Sequence, residues 1–302
     1  SDKVFCMRTP SFLGETSFVA ETLYHKGLVP HFSFLTLQTE KRLWEEVMNR
    51  FIDFTDRICL VTGAGNENGI GFQTARILGE MRGRIILIST TERIYKRAEE
   101  LKKMDTNAEG MTADLMDRTQ VKSVIEEIIK KYSRIDVLIN NAGMVQVGQE
   151  EEFAPFSEMT DESWDDSVDR NLNITFNVTR QVLPHMIKNK YGRIVNTSSV
   201  TGPLVSNPGE AAYSAAKAAV VGMSRAIAIE NAKHNIMINN VLPGWIATDS
   251  QTEAEAVGGE NTPMGRGGSA EEVANMNVFL ASEKASYITG QTFVVEDRKS
   301  VV

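Results

Sequence analysis

Arg57-Ile-Cys-Leu-Val-Thr-Gly-Ala-Gly-Asn-Glu-Asn-Gly-Ile-Gly71 joins a short apolar run to a cluster of glycines. The run has the length and continuous apolar character of a strand buried on both faces. Glycines between a strand and a helix N-terminus let the backbone approach a pyrophosphate, and the helix dipole favours the negative charge. Standing alone, such a loop is equally well a tight structural turn. Its place after the first strand of an alternating chain favours the cofactor reading.

The alternation continues outward from that stretch. Ile70–Met81 is expected to be a helix, Arg84–Ser89 a second buried strand and Glu92–Lys103 a helix. Gly110–Asp114 is a weak strand, and Asp117 caps a helix running to Tyr132. Asp136–Asn140 is a strand, Asp161–Ile187 one long helix and Arg193–Thr197 a strand. Another helix carries Tyr213 and Lys217. Ile236–Leu242 is a strand, Ala270–Ala281 a helix and Gln291–Val295 a last strand. Short apolar strands alternating with helices imply a parallel sheet covered on both faces, with right-handed crossovers and a doubly wound α/β fold. Residues 1–47 show no clear period and no recognised motif, so they are expected to be a dispensable extension. Met48 begins a lead-in to the first strand.

The composition is that of an ordinary globular protein: 302 residues, 42% hydrophobic and 24% charged, with a net charge of −8. An acidic chain without a clustered basic face argues against nucleic acid as a partner. Cys6 and Cys59 lie far apart with no CxxC, which fits a reducing compartment and argues against a disulfide scaffold or a zinc site. The histidines His25, His31, His185 and His234 have no metal-ligand spacing, so no metal is expected. There is no run of 18 or more apolar residues and no signal-peptide pattern, so a cytoplasmic protein that does not enter membranes is expected.

Gly209-Glu-Ala-Ala-Tyr-Ser-Ala-Ala-Lys-Ala-Ala-Val-Val-Gly222 carries the chemistry. Residues four apart share a helical face, so Tyr213 and Lys217 point the same way. An ammonium beside a phenol favours the phenolate and lowers its pKa from about 10. A phenol tuned in this way is a usable proton donor or acceptor. Taken alone, Tyr-x-x-x-Lys reads better as a buried tyrosine with a surface lysine.

Several motifs in order overturn that bland reading. Thr62-Gly63 with Gly69-Ile70-Gly71, Asp114, Asn140-Asn141-Ala142-Gly143, Asn171, Ser199, Tyr213-x-x-x-Lys217, Pro243-Gly244 and Thr248 together resemble the short-chain dehydrogenase/reductase family. The resemblance covers about residues 55–295 and implies a single Rossmann-type domain over residues 48–302. It implies that Tyr213 is the general acid and that Ser199 orients the substrate oxygen. Ser198 is the neighbouring rival. Lys217 would hold the nicotinamide ribose, and Asn171 would help hold a water that links Lys217 to solvent. Asp114 would receive the adenine amino group and Asn141 would brace the central strands. Ala142 and Gly143 would lie beside the adenosine ribose. Pro243 and Gly244 would make room for the nicotinamide ring, and Thr248 would bond its carboxamide. Two departures stand out. Five residues separate Gly63 from Gly69 where the family usually has three, and Glu67 sets a negative charge near the expected phosphates. The segment from Ser199 to Tyr213 is also one residue longer than is common.

The cofactor is expected to be NADP, with NAD as the alternative. Ser89, Thr90 and Thr91 at the end of the second strand are neutral hydroxyls followed by Arg93, a set that suits a 2′-phosphate; Glu92 is the counter-argument. The implied activity is hydride transfer between a ketone and a secondary alcohol, resembling 3-oxoacyl-thioester reductases. The expected partner is a small carbonyl or alcohol substrate. Arg180, Lys188, Lys190 and Arg193 are candidates for a basic patch toward an acidic carrier protein. Two alternatives are kept: a nucleotide-binding regulator without chemistry, and an enoyl reductase of the same superfamily. The latter usually spaces tyrosine and lysine by seven. A homodimer or homotetramer through the Asn171 and Tyr213 helices is implied. Met144–Ser157, Gly202–Glu210 and Ile246–Pro263 are expected to be loops that set the substrate. The resemblance stops at Glu296. Asp297–Val302 matches what a common sequencing adapter spells in one reading frame, so it is expected to be artefactual and poorly packed.

Overall fold

In the computed structural model the placement of residues 52–143, 153–249 and 253–297 is described. The expected extension 1–47 and residues 298–302 lie outside them. The first strand, β1 (Ile58–Thr62), is wholly buried. After it come α1 (Ile70–Glu80), β2 (Arg84–Ser89), α2 (Arg93–Lys103), β3 (Ala108–Thr112), α3 (Arg118–Tyr132) and β4 (Val137–Asn140). The second half holds α4 (Asp161–Val168), α5 (Ile174–Asn189), β5 (Gly192–Thr197), α6 (Ala211–Asn231) and β6 (Ile236–Pro243). It closes with β7 (Ile246–Ala247), α7 (Glu253–Glu260), β8 (Gly268–Ser269), α8 (Ala270–Ala281) and β9 (Thr292–Val295). Seven strands form one sheet in the order β3-β2-β1-β4-β5-β6-β9, and every neighbouring pair is parallel. β7 and β8 form a separate two-stranded pair.

Alternation along the strands sorts the core into two layers, because successive side chains point to opposite faces. Cys59, Val61, Ile85, Leu87, Val137 and Ile139 meet α1, α2 and α8 through Phe72, Leu78, Leu101 and Val278. Leu60, Ile86, Ile88, Leu138 and Ile194 meet α3 and α5 through Ile125, Ile128, Val178 and Val182. Both faces are therefore dry, as an all-parallel sheet requires. Among the described residues, side chains cap three α-helix starts: Asp117 accepts from Thr119 and Gln120, Thr160 from Ser163, and Ser269 forms a capping box with Glu272.

The structure corrects the sequence reading at five places. β3 starts two residues before Gly110 and ends at Thr112, so Asp114 lies beyond the strand. The expected long helix is interrupted by a π-helical turn over Asp169–Asn173. The stretch Ile246–Pro263 is not all loop, since it contains β7 and α7. Arg193 contributes to no basic patch, because it is fully buried. It donates to the Asn235 carbonyl at 3.0 Å, pairs with Glu283 at 3.0 Å and lies over the Tyr191 ring. Asp297 is also tied in, accepting the Met264 N–H at 2.7 Å, where a poorly packed tail was expected.

Candidate active site

β1 and β4 are neighbours although their connections leave in opposite directions. Their carboxyl ends open the crevice in which doubly wound sheets bind ligands. Gly63 follows β1 with φ +68°, and a Cβ there would lie 2.7 Å from the Ala142 backbone. A Cβ on Gly71 would lie 2.6 Å from both Asn141 Nδ2 and the Gly63 carbonyl. Both positions therefore demand glycine. Asn141 bridges the two strand ends, donating from Nδ2 to the Gly63 carbonyl at 3.1 Å. The Thr62 hydroxyl accepts from the Asn141 and Ala142 amides.

Gly69 caps α1 without a side-chain hydrogen bond, and no acid sits in the first turn. That leaves backbone N–H groups at an open, positive helix end next to Ile70. The two extra residues form a turn in which the Asn66 side chain accepts the Asn68 N–H at 3.2 Å. Glu67 does not leave a bare charge by the loop, because its carboxylate accepts from the buried Arg97 of α2 at 2.7 Å. This pairing lies 30 positions away in sequence and is invisible to local reading.

Ser89, Thr91 and Arg93 cluster at the end of β2. Arg93 Nε donates to Thr91 Oγ1 at 3.3 Å, and its guanidinium reaches within 4.0 Å of a Cβ built on Gly65. Thr90, Glu92 and Arg93 are exposed. Asp114 accepts the Met116 N–H at 2.9 Å and lies half-buried one strand further out.

On the other side of the crevice, α6 presents Tyr213 half-buried and Lys217 buried. Lys217 Nζ lies 5.5 Å from the Tyr213 ring centre. A Cβ on Gly143 would lie 3.2 Å from that Nζ and 3.5 Å from Asn171 Oδ1. Gly143 thus lets the lysine, the asparagine and the strand end converge. Asn171 sits in the π-helical turn and donates from Nδ2 to the Ser167 carbonyl at 3.1 Å. Ser198 is buried and gives its hydroxyl to the Lys217 carbonyl at 2.8 Å. Ser199 is half-buried, and its Oγ accepts the Thr201 N–H at 3.1 Å. Pro243 ends β6. A Cβ on Gly244 would lie 2.5 Å from the Glu296 side chain. Thr248 follows β7 and is half-buried.

Beside Tyr213 a small pocket is lined by Phe153, Met159, Ser163, Ser167, Gly209 and Glu210. Phe153, Gly209 and Glu210 fall in the expected loops. Met159, Ser163 and Ser167 were missed, although the spacing of four between the serines put them on one helix face. Residues 144–152 lie outside the described residues. A separate cleft of about 490 Å³ between β7, α8 and β9 holds none of the expected catalytic or cofactor-binding residues, although Ile246 of the third expected substrate segment lines it. Burial of Cys59 pushes its thiol pKa far up, so it is a core residue and no nucleophile. Among the described residues no acid, histidine or cysteine cluster fits a metal ion. None of their helices is long and apolar enough to cross a membrane.

The described residues fit a dinucleotide: a cradle that side chains would fill, an open helix end, and a hydroxyl–arginine cluster at the second strand. A family model described as Enoyl-(Acyl carrier protein) reductase matches residues 63–297. A 3-oxoacyl-[acyl-carrier-protein] reductase of Thermotoga maritima is 38% identical over 245 residues, covering 80% of this chain and 96% of the relative. The chain belongs to the short-chain dehydrogenase/reductase family. As a member of it, the protein is an NAD(P)-dependent oxidoreductase resembling the 3-oxoacyl reductases. The Escherichia coli oxidoreductase UcpA is 36% identical over 254 residues, covering 80% of this chain and 94% of the relative. A crystal structure assigned as a gluconate dehydrogenase of Agrobacterium tumefaciens superposes with a TM-score of 0.76 at 28% identity. It covers 83% of this chain and 98% of that one.

Proposed function

We propose that the protein reduces a 3-oxoacyl-type ketone to the secondary alcohol with NADPH, or runs the reverse, at Ser199, Tyr213, Lys217 and Asn171. The approach of Lys217 and Asn171 to Gly143, beside the glycine cradle, with the Tyr213 ring centre 5.5 Å from the Lys217 Nζ, carries this reading. The nicotinamide, when bound, supplies the hydride in reduction and takes it in oxidation. Tyr213 gives its hydroxyl proton to the carbonyl oxygen, which Ser199 holds by a hydrogen bond. Ser198 is committed to a backbone carbonyl, which favours Ser199 for that task. The Lys217 ammonium stabilises the phenolate left behind. Asn171, beside Lys217, helps hold the water through which the proton is restored.

In this reading Gly63, Gly69, Ile70 and Gly71 receive the pyrophosphate, and Asp114 the adenine amino group. Ala142 and Gly143 flank the adenosine ribose. Pro243, Gly244 and Thr248 receive the nicotinamide carboxamide side. Thr90, Thr91 and Arg93 take the 2′-phosphate, which makes NADP the preferred cofactor. The reading includes a cytoplasmic homodimer or homotetramer assembled through α5 and α6.

A panel of ketones, 3-oxoacyl thioesters and enoyl thioesters, assayed with NADPH and NADH, tests the function. Turnover of ketones with NADPH is expected. The family model's description raises the enoyl reductase as a second reading, and turnover confined to enoyl thioesters would establish it. Cofactor binding without any turnover would make the protein a regulator. Thr90→Asp should weaken NADPH about tenfold relative to NADH by repelling the 2′-phosphate. An unmodified protein that already prefers NADH tenfold refutes the NADP assignment.

A further inference from the structure

The lengthened glycine loop does more than bulge. Two of its side chains, Glu67 and Asn68, pair with residues of two different segments. Glu67 is held by Arg97 on α2, at the side of the second strand. Asn68 Nδ2 donates at 2.9 Å to Oδ1 of Asp249, directly after Thr248 and 181 positions away. The loop side is braced: the Asn66 side chain accepts the Asn68 N–H, the Asn66 carbonyl accepts the Gly69 N–H at 3.2 Å, and Gln73 donates to the Glu67 carbonyl at 2.9 Å. Asn68 and Asp249 are both exposed, and exposed polar pairs usually contribute little because two mobile side chains must be ordered. Here one partner is already ordered by its turn, so less freedom is lost on pairing. The bond joins the loop at the α1 N-terminus to the segment carrying Thr248, and so spans the crevice from the phosphate side to the nicotinamide side.

We propose that Asn68 and Asp249 form a latch that holds the Thr248 segment against the glycine loop and slows release of the dinucleotide. This rests on the reading of the glycine loop as the pyrophosphate site. Asn68 and Asp249 are positioning residues: they act through the loop and through Thr248.

The test is a double-mutant cycle on NADPH binding, read by fluorescence titration and by displacement kinetics in the full chain. Asn68→Ala and Asp249→Ala should each raise the dissociation constant about fivefold, mainly through faster release. The double variant should be no weaker than either single one. Asp249→Asn keeps an acceptor for the Asn68 amide and should bind close to wild type. Asn68→Asp sets two carboxylates face to face and should bind more weakly than Asn68→Ala. In the cofactor-free protein, amide hydrogen exchange at Ile246–Asp249 should quicken in Asn68→Ala. Unchanged binding in the single variants, additive losses in the double one, or unaltered exchange would overturn the latch. A wild-type protein that binds neither NADPH nor NADH would instead remove the cofactor reading beneath it.

Discussion

Tyr213→Phe is expected to lower kcat by about 10²- to 10⁴-fold and to leave the cofactor dissociation constant nearly unchanged. The substitution removes one hydroxyl and keeps the ring. The half-buried ring on α6 retains its packing and its place above the Lys217 ammonium. In the proposed role, what is lost is the proton given to the carbonyl oxygen. Steady-state kinetics with a titration of NADPH separates the two effects. Residual turnover within tenfold of wild type would remove Tyr213 from the chemistry, and a large loss of cofactor affinity would show that the hydroxyl is structural.

Lys217→Ala should damage both quantities. The side chain is buried, with Nζ between Gly143, Asn171 and the tyrosine ring. It is assigned two tasks, holding the nicotinamide ribose and stabilising the phenolate. Loss of hydrogen bonds to a charged donor should weaken cofactor binding about 10- to 100-fold, with a further fall in kcat. Lys217→Arg should not restore activity, because the bulkier guanidinium must fit where even a Cβ on Gly143 would approach Nζ to 3.2 Å. Thermal unfolding of the variants checks that the helix still packs. A variant with normal cofactor affinity and lowered kcat would confine the lysine to proton handling.

Local chemistry made much of this fold, and the placing of the candidate site, legible. β2, α3 and α8 end where their apolar patterns and caps stop, and Asp117 caps α3 through its own side chain. The convergence of residues from β1, β4, β5 and α6 follows from motif order, since a parallel sheet brings all strand ends to one edge. What stayed hidden depends on distant partners or weak local signals. α7 contains Gly258 and Gly259, poor helix formers, so its sequence resembles a loop. The π-helical turn at Asn171 leaves no mark on the apolar period. Arg193 looks like an exposed strand end until Glu283, 90 positions later, covers it. The Glu67–Arg97 pair likewise turns an expected electrostatic conflict at the phosphates into a brace for the loop.

Deuteride transfer from the cofactor to a ketone is the decisive measurement for the proposed chemistry. The protein is mixed with a 3-oxoacyl thioester and NADPH deuterated at nicotinamide C4, and the product is examined by mass spectrometry. A 3-hydroxyacyl thioester with deuterium on the former carbonyl carbon is expected from wild type and should be almost absent with Tyr213→Phe. Product formed equally well by Tyr213→Phe, or tight NADPH binding with no deuterium transferred to any ketone, would contradict that chemistry.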